Sequence, residues 1–240
     1  MNLIIDVGNT RIKIAVFNNT EIIHTEIITT EEFYFKALKL LEVYSCKNAI
    51  LSSVGNLKKS QINELNSKIN LIQLDYISKI PFKNCYKTPK TLGVDRIALV
   101  SSAASQFPNK NVLIIDAGTC ITYDFINEKG CYLGGAISPG IKMRYQSLHK
   151  FTKKLPLLET KLPENLIGGS TEECIHSGVV NGVINEIDSN IDSYRKKNKD
   201  LTIVLTGGDV NFLSNRLKNG IFANPNFLLQ GLNTILTYNL

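Results

Sequence analysis

Two short apolar runs, each leading into an aspartate and a glycine-containing turn, mark similar positions in the two halves of the chain. The first lies in residues 3–10 and the second in residues 112–119. After each turn, apolar and polar residues alternate, at 12–16 and at 121–125. This alternation is typical of a half-buried strand, so each segment is predicted to form a β-hairpin.

The other apolar patterns predict alternating helices and strands. Apolar spacing on one face, with Thr30 as the N-cap, predicts the first helix. Residues 76–92 contain two prolines and little periodicity, and are predicted to form an ordered connection or flap. The remaining predicted elements are a strand near 21–28, helices at 30–44 and about 57–69, strands at 49–51 and 71–74, a helix at about 93–106, a strand ending at 134–140 with a helix after it, a long helix at about 170–196, a strand at 203–205 with a helix after it, and a final helix at about 226–238.

The repeated order of hairpin, third strand and alternating elements indicates an internal duplication. Each half is predicted to be an α/β unit, a mixed sheet with helices on its faces. The predicted boundary gives an N-terminal lobe at 1–108 and a C-terminal lobe at 109–240. Whether the final helix packs back on the first lobe is left open by the sequence.

Composition describes an ordinary globular protein, with 43% apolar and 20% charged residues among 240. The N-terminus enters directly into an apolar strand pattern, which argues against a secretory signal. Apolar runs are far shorter than the roughly 20 residues that a membrane span needs. We therefore expect a cytoplasmic protein with no membrane partner.

The net charge of +6 raises the question of a nucleic-acid partner. Most of the positive residues are lysines spread along the chain, and the densest cluster, at 195–199, suits the C-terminus of the long predicted helix. We therefore expect no nucleic-acid partner. The cysteines number five and none has C-x-x-C spacing, which favours thiols in a reducing compartment.

The turn at 6–10 combines a carboxylate with phosphate-binding groups. Asp6 ends a buried strand, and Gly8 lets the backbone approach an anion closely. Asn9, Thr10 and the following amides supply donors, and Lys13 projects a positive charge. Because Mg²⁺ binds one or two carboxylates together with phosphate oxygens, the combination suits a metal-bound phosphate. Taken alone, the turn has the alternative reading of an ordinary hairpin turn.

The second half repeats this arrangement with Asp116, Gly118 and Thr119. Two such turns facing each other are predicted to hold a polyphosphate from both sides. Gly207 and Gly208, after another buried strand, provide a third close-approach site that suits the base and ribose of a nucleotide.

Asp95 and Arg96 lie at the start of a predicted helix. The helix dipole stabilises the anionic form of a carboxylate in the first turn. An anionic aspartate is a suitable acceptor for the proton of an attacking hydroxyl in phosphoryl transfer. Arg96 either grips a substrate carboxylate or anchors Asp95. The alternative is a structural pair that caps the helix.

These segments together resemble the acetate and sugar kinase/Hsp70/actin superfamily, and within it the type III pantothenate kinases. The resemblance extends over nearly the whole chain in the right order. One departure is Lys153-Lys154, where a small residue is expected after Thr152. The matching segments are Asp6-x-Gly8-Asn9-Thr10-x-x-Lys13, Asn84-x-Tyr86-x-x-Pro89-x-x-Leu92-Gly93-x-Asp95-Arg96, Asp116-x-Gly118-Thr119-x-x-Thr122, Gly134-Gly135-x-Ile137-x-Pro139-Gly140, Gly169-x-Thr171 and Thr206-Gly207-Gly208-Asp209.

The resemblance implies two duplicated ribonuclease H-like lobes, with mixed five-stranded sheets and the active site in the cleft between them. It implies ATP-dependent phosphorylation of pantothenate to 4′-phosphopantothenate, the first step of coenzyme A biosynthesis. It also implies Mg²⁺ and a monovalent cation, K⁺ or NH₄⁺, and a homodimer.

By motif position, the resemblance implies a role for each candidate residue. Asp95 is the general base, Asp116 holds the monovalent cation, and Asp6 orients Mg²⁺ through water. The pantothenate pocket is formed by Tyr86, Gly93, Val94, Asp95, Arg96 and Thr171. ATP is bound by Asp6, Val7, Gly8, Asn9, Thr10, Arg11, Ile12, Lys13, Thr119, Gly207 and Gly208.

Thr171 has a second reading, because Ser170-Thr171-Glu172-Glu173 has capping-box spacing. The apolar face that follows, from Ile175 to Ile187, suits either the core or a dimer interface. In the family the acceptor site is completed across the dimer interface, so Thr171 is carried over as a pocket residue, in its own or in the partner's site.

Two rival functions remain at this stage. One is a transcriptional accessory protein of the same fold, which the basic charge favours and the complete set of phosphoryl-transfer residues opposes. The other is a different small-molecule kinase of the superfamily, since only the segment 86–96 specifies the acceptor.

Overall fold

A computed structural model of the chain describes residues 1–8, 11–55 and 57–240. The chain divides into two compact units. The first comprises residues 1–109, 130–133 and 226–240, and the second comprises 110–129 and 134–225.

Strands and short helices alternate along the described residues. In chain order they are β1 (Asn2–Val7), β2 (Ile12–Asn18), β3 (Glu21–Ile28), α1 (Phe33–Tyr44), β4 (Asn48–Ser53), α2 (Lys59–Lys68), β5 (Asn70–Gln73), β6 (Lys83–Asn84), a 3-10 turn (Pro89–Thr91), α3 (Val94–Gln106), β7 (Val112–Ala117), β8 (Cys120–Ile126), β9 (Cys131–Pro139), α4 (Ile141–Phe151), α5 (Thr171–His176), a π-helical turn (Ser177–Asn181), α6 (Gly182–Lys197), β10 (Thr202–Thr206), α7 (Val210–Leu213), β11 (Phe222–Ala223) and α8 (Phe227–Asn239).

The first unit is built on a five-stranded mixed sheet with the order β3-β2-β1-β4-β5. Its central strand β1 is antiparallel to β2 and parallel to β4. In this register Asp6 lies opposite Lys13 on one side and Ser52 on the other. The apolar residues of β1 are buried in the core, so Asp6 lies at the edge of the hydrophobic core.

The second sheet has the order β11-β10-β7-β8-β9-β6. β7 repeats the role of β1, being antiparallel to β8 and parallel to β10, with Asp116 opposite Thr206. The paired hairpins and mixed sheets predicted from the sequence are therefore confirmed. A difference is the sixth strand β6, which pairs with the first residues of β9. Both β6 and residues 131–133 of β9 belong to the first unit.

The long predicted helix at 170–196 is interrupted by the π-helical turn, which separates α5 from α6. Its apolar face lies in the core of the second unit, with Val183 and Ile187 fully buried. The sequence left open whether this face belongs to the core or to a dimer interface, and the structure places it in the core.

The predicted N-cap of α1 is wrong. The helix begins after Glu32, and Thr29 makes the local contacts expected of a cap. The Thr29 N–H donates to Glu32 Oε2 at 2.9 Å, and the Glu32 N–H donates to Thr29 Oγ1 at 3.4 Å. Thr29 and Glu32 therefore form the reciprocal pairing of a capping box in the turn that precedes the first helical residue, Phe33.

Helix α8 packs closely on α3 within the first unit. A side chain at Gly231 would overlap the carbonyl of Ala98, so this crossing requires glycine. The side chains of Gln106 and Gln230 hydrogen bond at 2.9 Å at the same crossing. Within the described residues, the helices are too short or too polar to cross a membrane.

Candidate functional site

In the first unit, two carboxylates lie close enough to influence each other. Burial raises the pKa of Asp6 to about 6, the nearby positive charge of Lys13 opposes that shift, and the negative charge of Asp95 adds to it. The strand register explains the first contact, because Lys13 lies directly opposite Asp6. Asp6 is therefore a desolvated carboxylate with incomplete charge compensation, which is the condition that favours binding a cation.

Asp95 occupies the first turn of α3, as predicted. Its Oδ1 accepts the Arg96 N–H at 2.8 Å, so part of the structural capping role is present. Gly93 precedes the helix at a point where a Cβ would collide with the Asp95 carboxylate. Glycine at this position therefore lets the carboxylate fold back over the start of the helix.

The side chain of Arg96 is buried and lies beside Tyr86, with the guanidinium carbon 5.7 Å from the ring centroid. Tyr86 also stacks on Tyr132, with centroids 5.9 Å apart. Its N–H donates to Asn84 Oδ1 at 3.0 Å. The predicted acceptor segment is therefore brought together around Tyr86, and Asn84, a motif residue given no role from the sequence, holds its backbone.

The hairpin turn between β1 and β2 is closed by a backbone hydrogen bond. The Gly8 N–H donates to the Arg11 carbonyl at 3.1 Å. The side chains of Val7 and Ile12 are buried in the core, and the Val7 carbonyl accepts the N–H groups of Val54 and Gly55. Asn9 and Thr10 lie outside the described residues.

In the second unit, three glycine-containing turns converge. Gly207 has φ +97°, and a Cβ there would overlap Asp116 Oδ1 and the Ala117 carbonyl. The Asp209 N–H donates to the same Ala117 carbonyl at 2.9 Å. The predicted cation residue Asp116 and the predicted Gly207 turn are thus brought together.

The third turn ends at Gly140, whose N–H donates to the Thr119 carbonyl at 3.1 Å. This contact explains the motif at 134–140, which the sequence matched without a role. Burial raises the pKa of Asp209 above its usual range, while Lys142 lowers it. Sequence reasoning missed Lys142 as a neighbour of the glycine turns, because only the fold brings the start of α4 beside Asp209.

Thr171 lies elsewhere in the second unit, at the exposed start of α5. The expected cap is present, since the Glu173 N–H donates to Ser170 Oγ at 3.3 Å. Thr171 lines a cavity of about 690 Å³. Asp116, Thr119 and Gly207 are not among the residues that line it.

Arg144, on another wall of this cavity, was not singled out from the sequence. Its Nε donates to the Pro139 carbonyl at 2.9 Å, and its guanidinium forms an ion pair with Glu186. Arg144 thereby links the cavity to the motif that ends at Gly140.

Comparison with known proteins gives a consistent assignment along the chain. The family model described as type III pantothenate kinase matches residues 2–193. A type III pantothenate kinase of Christiangramia forsetii is 52% identical over 240 residues, covering 100% of this chain and 99% of its own length. One of Bacteroides fragilis is 42% identical over 243 residues, covering 100% of this chain and 98% of the relative.

Solved structures share the fold at low sequence identity. A putative Baf family transcriptional activator from Campylobacter jejuni aligns with a TM-score of 0.63 at 21% identity, over 99% of this chain and 98% of that one. An inorganic polyphosphate/ATP-glucomannokinase from Arthrobacter aligns with a TM-score of 0.53 at 14% identity over the full length of both chains. At these identities the likeness shows the fold alone.

The raised pKa of Asp6 predicts a pH-dependent stability change in the variant Asp6→Asn. Below about pH 4 the carboxyl is protonated in both the folded and unfolded states, and its ionisation does not affect stability. Between about pH 4 and 6 the unfolded chain ionises first, so the folded state loses about 3 kcal/mol of stability in total. Thermal unfolding without ligands should show Asp6→Asn more stable than wild type above pH 6, with the difference shrinking toward pH 4.

Glu31→Gln is the matched control for this measurement, since Glu31 is exposed on the same unit. Its difference from wild type should lack the rise between pH 4 and 6. An Asp6→Asn difference that is equally large at pH 4 and pH 8 would show that burial of the charge is not its cause.

Proposed function

Because the chain belongs to the type III pantothenate kinase family, we propose that it transfers the γ-phosphoryl group of ATP directly to the terminal hydroxyl of pantothenate, with Asp95 as the general base. Its family membership makes it a kinase of coenzyme A biosynthesis.

The observation that best supports this reaction is the pair of interacting carboxylates, Asp6 and Asp95. Asp6 fits a role beside a cation, because burial raises its pKa and Lys13 compensates only part of its charge. It would orient hydrated Mg²⁺, which supplies charge neutralisation for the phosphates. A bound cation would also return Asp6 to the anionic form at neutral pH.

Asp95 has the features of a residue that accepts the hydroxyl proton. It is half-buried in the first turn of α3, where the helix dipole favours a carboxylate anion. Its Oδ1 accepts the Arg96 N–H, which orients the carboxylate at the start of the helix. Phosphoryl transfer asks little more of the protein than this positioning and charge stabilisation.

The acceptor is recognised by Tyr86, Gly93, Val94 and Arg96, together with Asp95. Arg96 is held beside the Tyr86 ring, so its charge is positioned for the carboxylate of pantothenate. Thr171 is assigned to the same substrate, in the second copy of a homodimer. Its exposure beside a large cavity supports a role in contacting another molecule.

ATP is assigned to one turn of the first unit and two turns of the second unit. In the first unit these residues are Asp6 to Lys13, with Lys13 as a phosphate-directed charge. In the second unit Thr119, Gly207 and Gly208 contact the nucleotide. Asp116 is assigned to K⁺ or NH₄⁺, and its close packing against Gly207 supports a cation beside the nucleotide turn.

The proposed activity is tested by following phosphate transfer from ATP to pantothenate with Mg²⁺, in K⁺ and in Na⁺ buffer. We expect pantothenate-dependent turnover that requires K⁺. Folded protein that turns over in neither buffer would contradict the assignment, and specific DNA binding that persists at moderate salt would favour the regulatory alternative.

Asp95→Asn should retain the fold and lose turnover by roughly 10²–10⁴-fold, because a neutral amide cannot accept the hydroxyl proton. Steady-state kinetics would place the loss in kcat, with ATP binding retained. Glu31→Gln makes the same carboxylate-to-amide change at an exposed position and should leave kcat unchanged. Near-normal turnover by folded Asp95→Asn would rule out Asp95 as the base.

Asp116→Ala should abolish activation by K⁺, because the proposed cation loses its carboxylate. The measurement is turnover as K⁺ is titrated at constant ionic strength. Glu128→Ala removes an exposed carboxylate of the same unit and should keep the wild-type K⁺ response. A normal K⁺ response in Asp116→Ala would place the monovalent cation elsewhere.

A further inference from the structure

Two cysteines distant in sequence meet where β6 pairs with β9. The parallel register sets Lys83 opposite Cys131 and Asn84 opposite Tyr132. The Lys83 N–H donates to the Gly130 carbonyl at 2.9 Å, and the Cys85 N–H donates to the Tyr132 carbonyl at 3.0 Å. Because side chains alternate between faces, Cys85 projects from the same face as Lys83 and therefore as Cys131.

The two thiols lie close enough to influence each other's ionisation. Cys85 is exposed, so a small reagent can reach it, and Cys131 is half-buried behind it. Desolvation and the hydrogen bond with Cys131 raise the pKa of the Cys85 thiol, which keeps it mostly protonated at neutral pH. We therefore expect the pair to be reduced in the resting protein and to oxidise slowly.

Each cysteine directly precedes one of two stacked tyrosines. Cys85 is followed by Tyr86, and Cys131 is followed by Tyr132. The two rings stack with centroids 5.9 Å apart, and Arg96 lies against Tyr86. The thiol pair therefore borders the segment that the proposed function assigns to the acceptor.

We propose that Cys85 and Cys131 form a redox-sensitive dithiol. A low-molecular-weight disulfide oxidises the pair to an intramolecular disulfide, and the disulfide lowers kcat/KM for the acceptor. The effect on turnover rests on the proposed function, whereas the chemistry of the dithiol does not.

The oxidation proceeds by two exchanges. The thiolate of Cys85 attacks one sulfur of the small disulfide, forms a mixed disulfide and releases one thiolate, which takes up the proton that Cys85 lost. Cys131 then attacks the Cys85 sulfur, forms the protein disulfide and releases the second small thiol. The protein loses two electrons and two protons, and the small disulfide is reduced to two thiols.

The cross-link has a geometric consequence for Tyr86. A disulfide requires an S–S distance of about 2.05 Å and Cα atoms within about 7 Å. Cys85 and Cys131 are diagonal, not directly opposite, positions of the ladder, so closing the bond shifts the end of β6 along the strand direction toward Cys131. Tyr86, the next residue, moves with it, and its contact with Arg96 changes.

The test is to incubate the whole protein with glutathione disulfide, map its peptides without reduction, and measure kinetics before and after adding dithiothreitol. We expect a linked peptide pair containing Cys85 and Cys131, lighter by two hydrogen atoms than the separate reduced peptides. We also expect kcat/KM for pantothenate to fall roughly tenfold to hundredfold, since small displacements of a positioning residue have effects of that size. The KM for ATP should be unchanged, and dithiothreitol should restore activity.

Cys85→Ser and Cys131→Ser should each abolish the linked peptide and the loss of activity. Cys46→Ser is the matched control, because Cys46 is a half-buried thiol of the same unit away from this segment, and it should behave as wild type.

Absence of the 85–131 link would overturn the proposed dithiol. A complete link with unchanged kinetics would overturn its effect on the acceptor. If the reduced protein does not phosphorylate pantothenate at all, the proposed function fails, while the peptide map still decides whether the dithiol forms.

Discussion

Desolvation of one carboxylate at the end of a buried strand is the constraint on which the first unit depends. Asp6 is the last residue but one of β1, whose apolar residues are buried, and a second carboxylate, Asp95, raises the free energy of its charged form. Lys13 offsets part of this cost from the neighbouring strand. In the proposed function a bound cation would offset this cost, because it would supply the missing positive charge beside Asp6.

In the second unit, the corresponding aspartate, Asp116, is surrounded by closely packed backbone. At the end of β7, glycines allow two other chain segments to approach closely, Gly207 at Asp116 and Ala117, and Gly140 at Gly118 and Thr119. A side chain at Gly207 would separate the turn from Asp116, and one at Gly140 would push away the turn at Thr119. In both units an aspartate lies near the end of the first strand of a hairpin. The neighbours differ, because Asp6 lies beside the charges of Lys13 and Asp95, whereas Asp116 lies beside Gly207.

The sequence predicted the elements whose residues carry a periodic signal, including both hairpins, the central strands and the position of Asp95 in the first turn of α3. It missed β6 and β11, because two-residue strands are too short to show a period and depend on a distant partner. It also missed the π-helical turn at 177–181, since apolar spacing continues through it. Lys142 and Arg144 could not be identified, because their neighbours lie on separate elements that only the tertiary fold brings together.

Helix α8 has a consequence for how the protein acquires its structure during synthesis. The Asn2 side chain donates to that of Asn233 at 3.0 Å, joining positions 231 residues apart within one unit. The core contacts of α8 therefore form only after the whole second unit has emerged, because residues 226–240 follow it in the chain. Loop-closure entropy makes such long-range contacts late events in folding. The unit that is synthesised first is then the one completed last, and its unfinished apolar surface at α3 is exposed to chaperones and proteases in the interval.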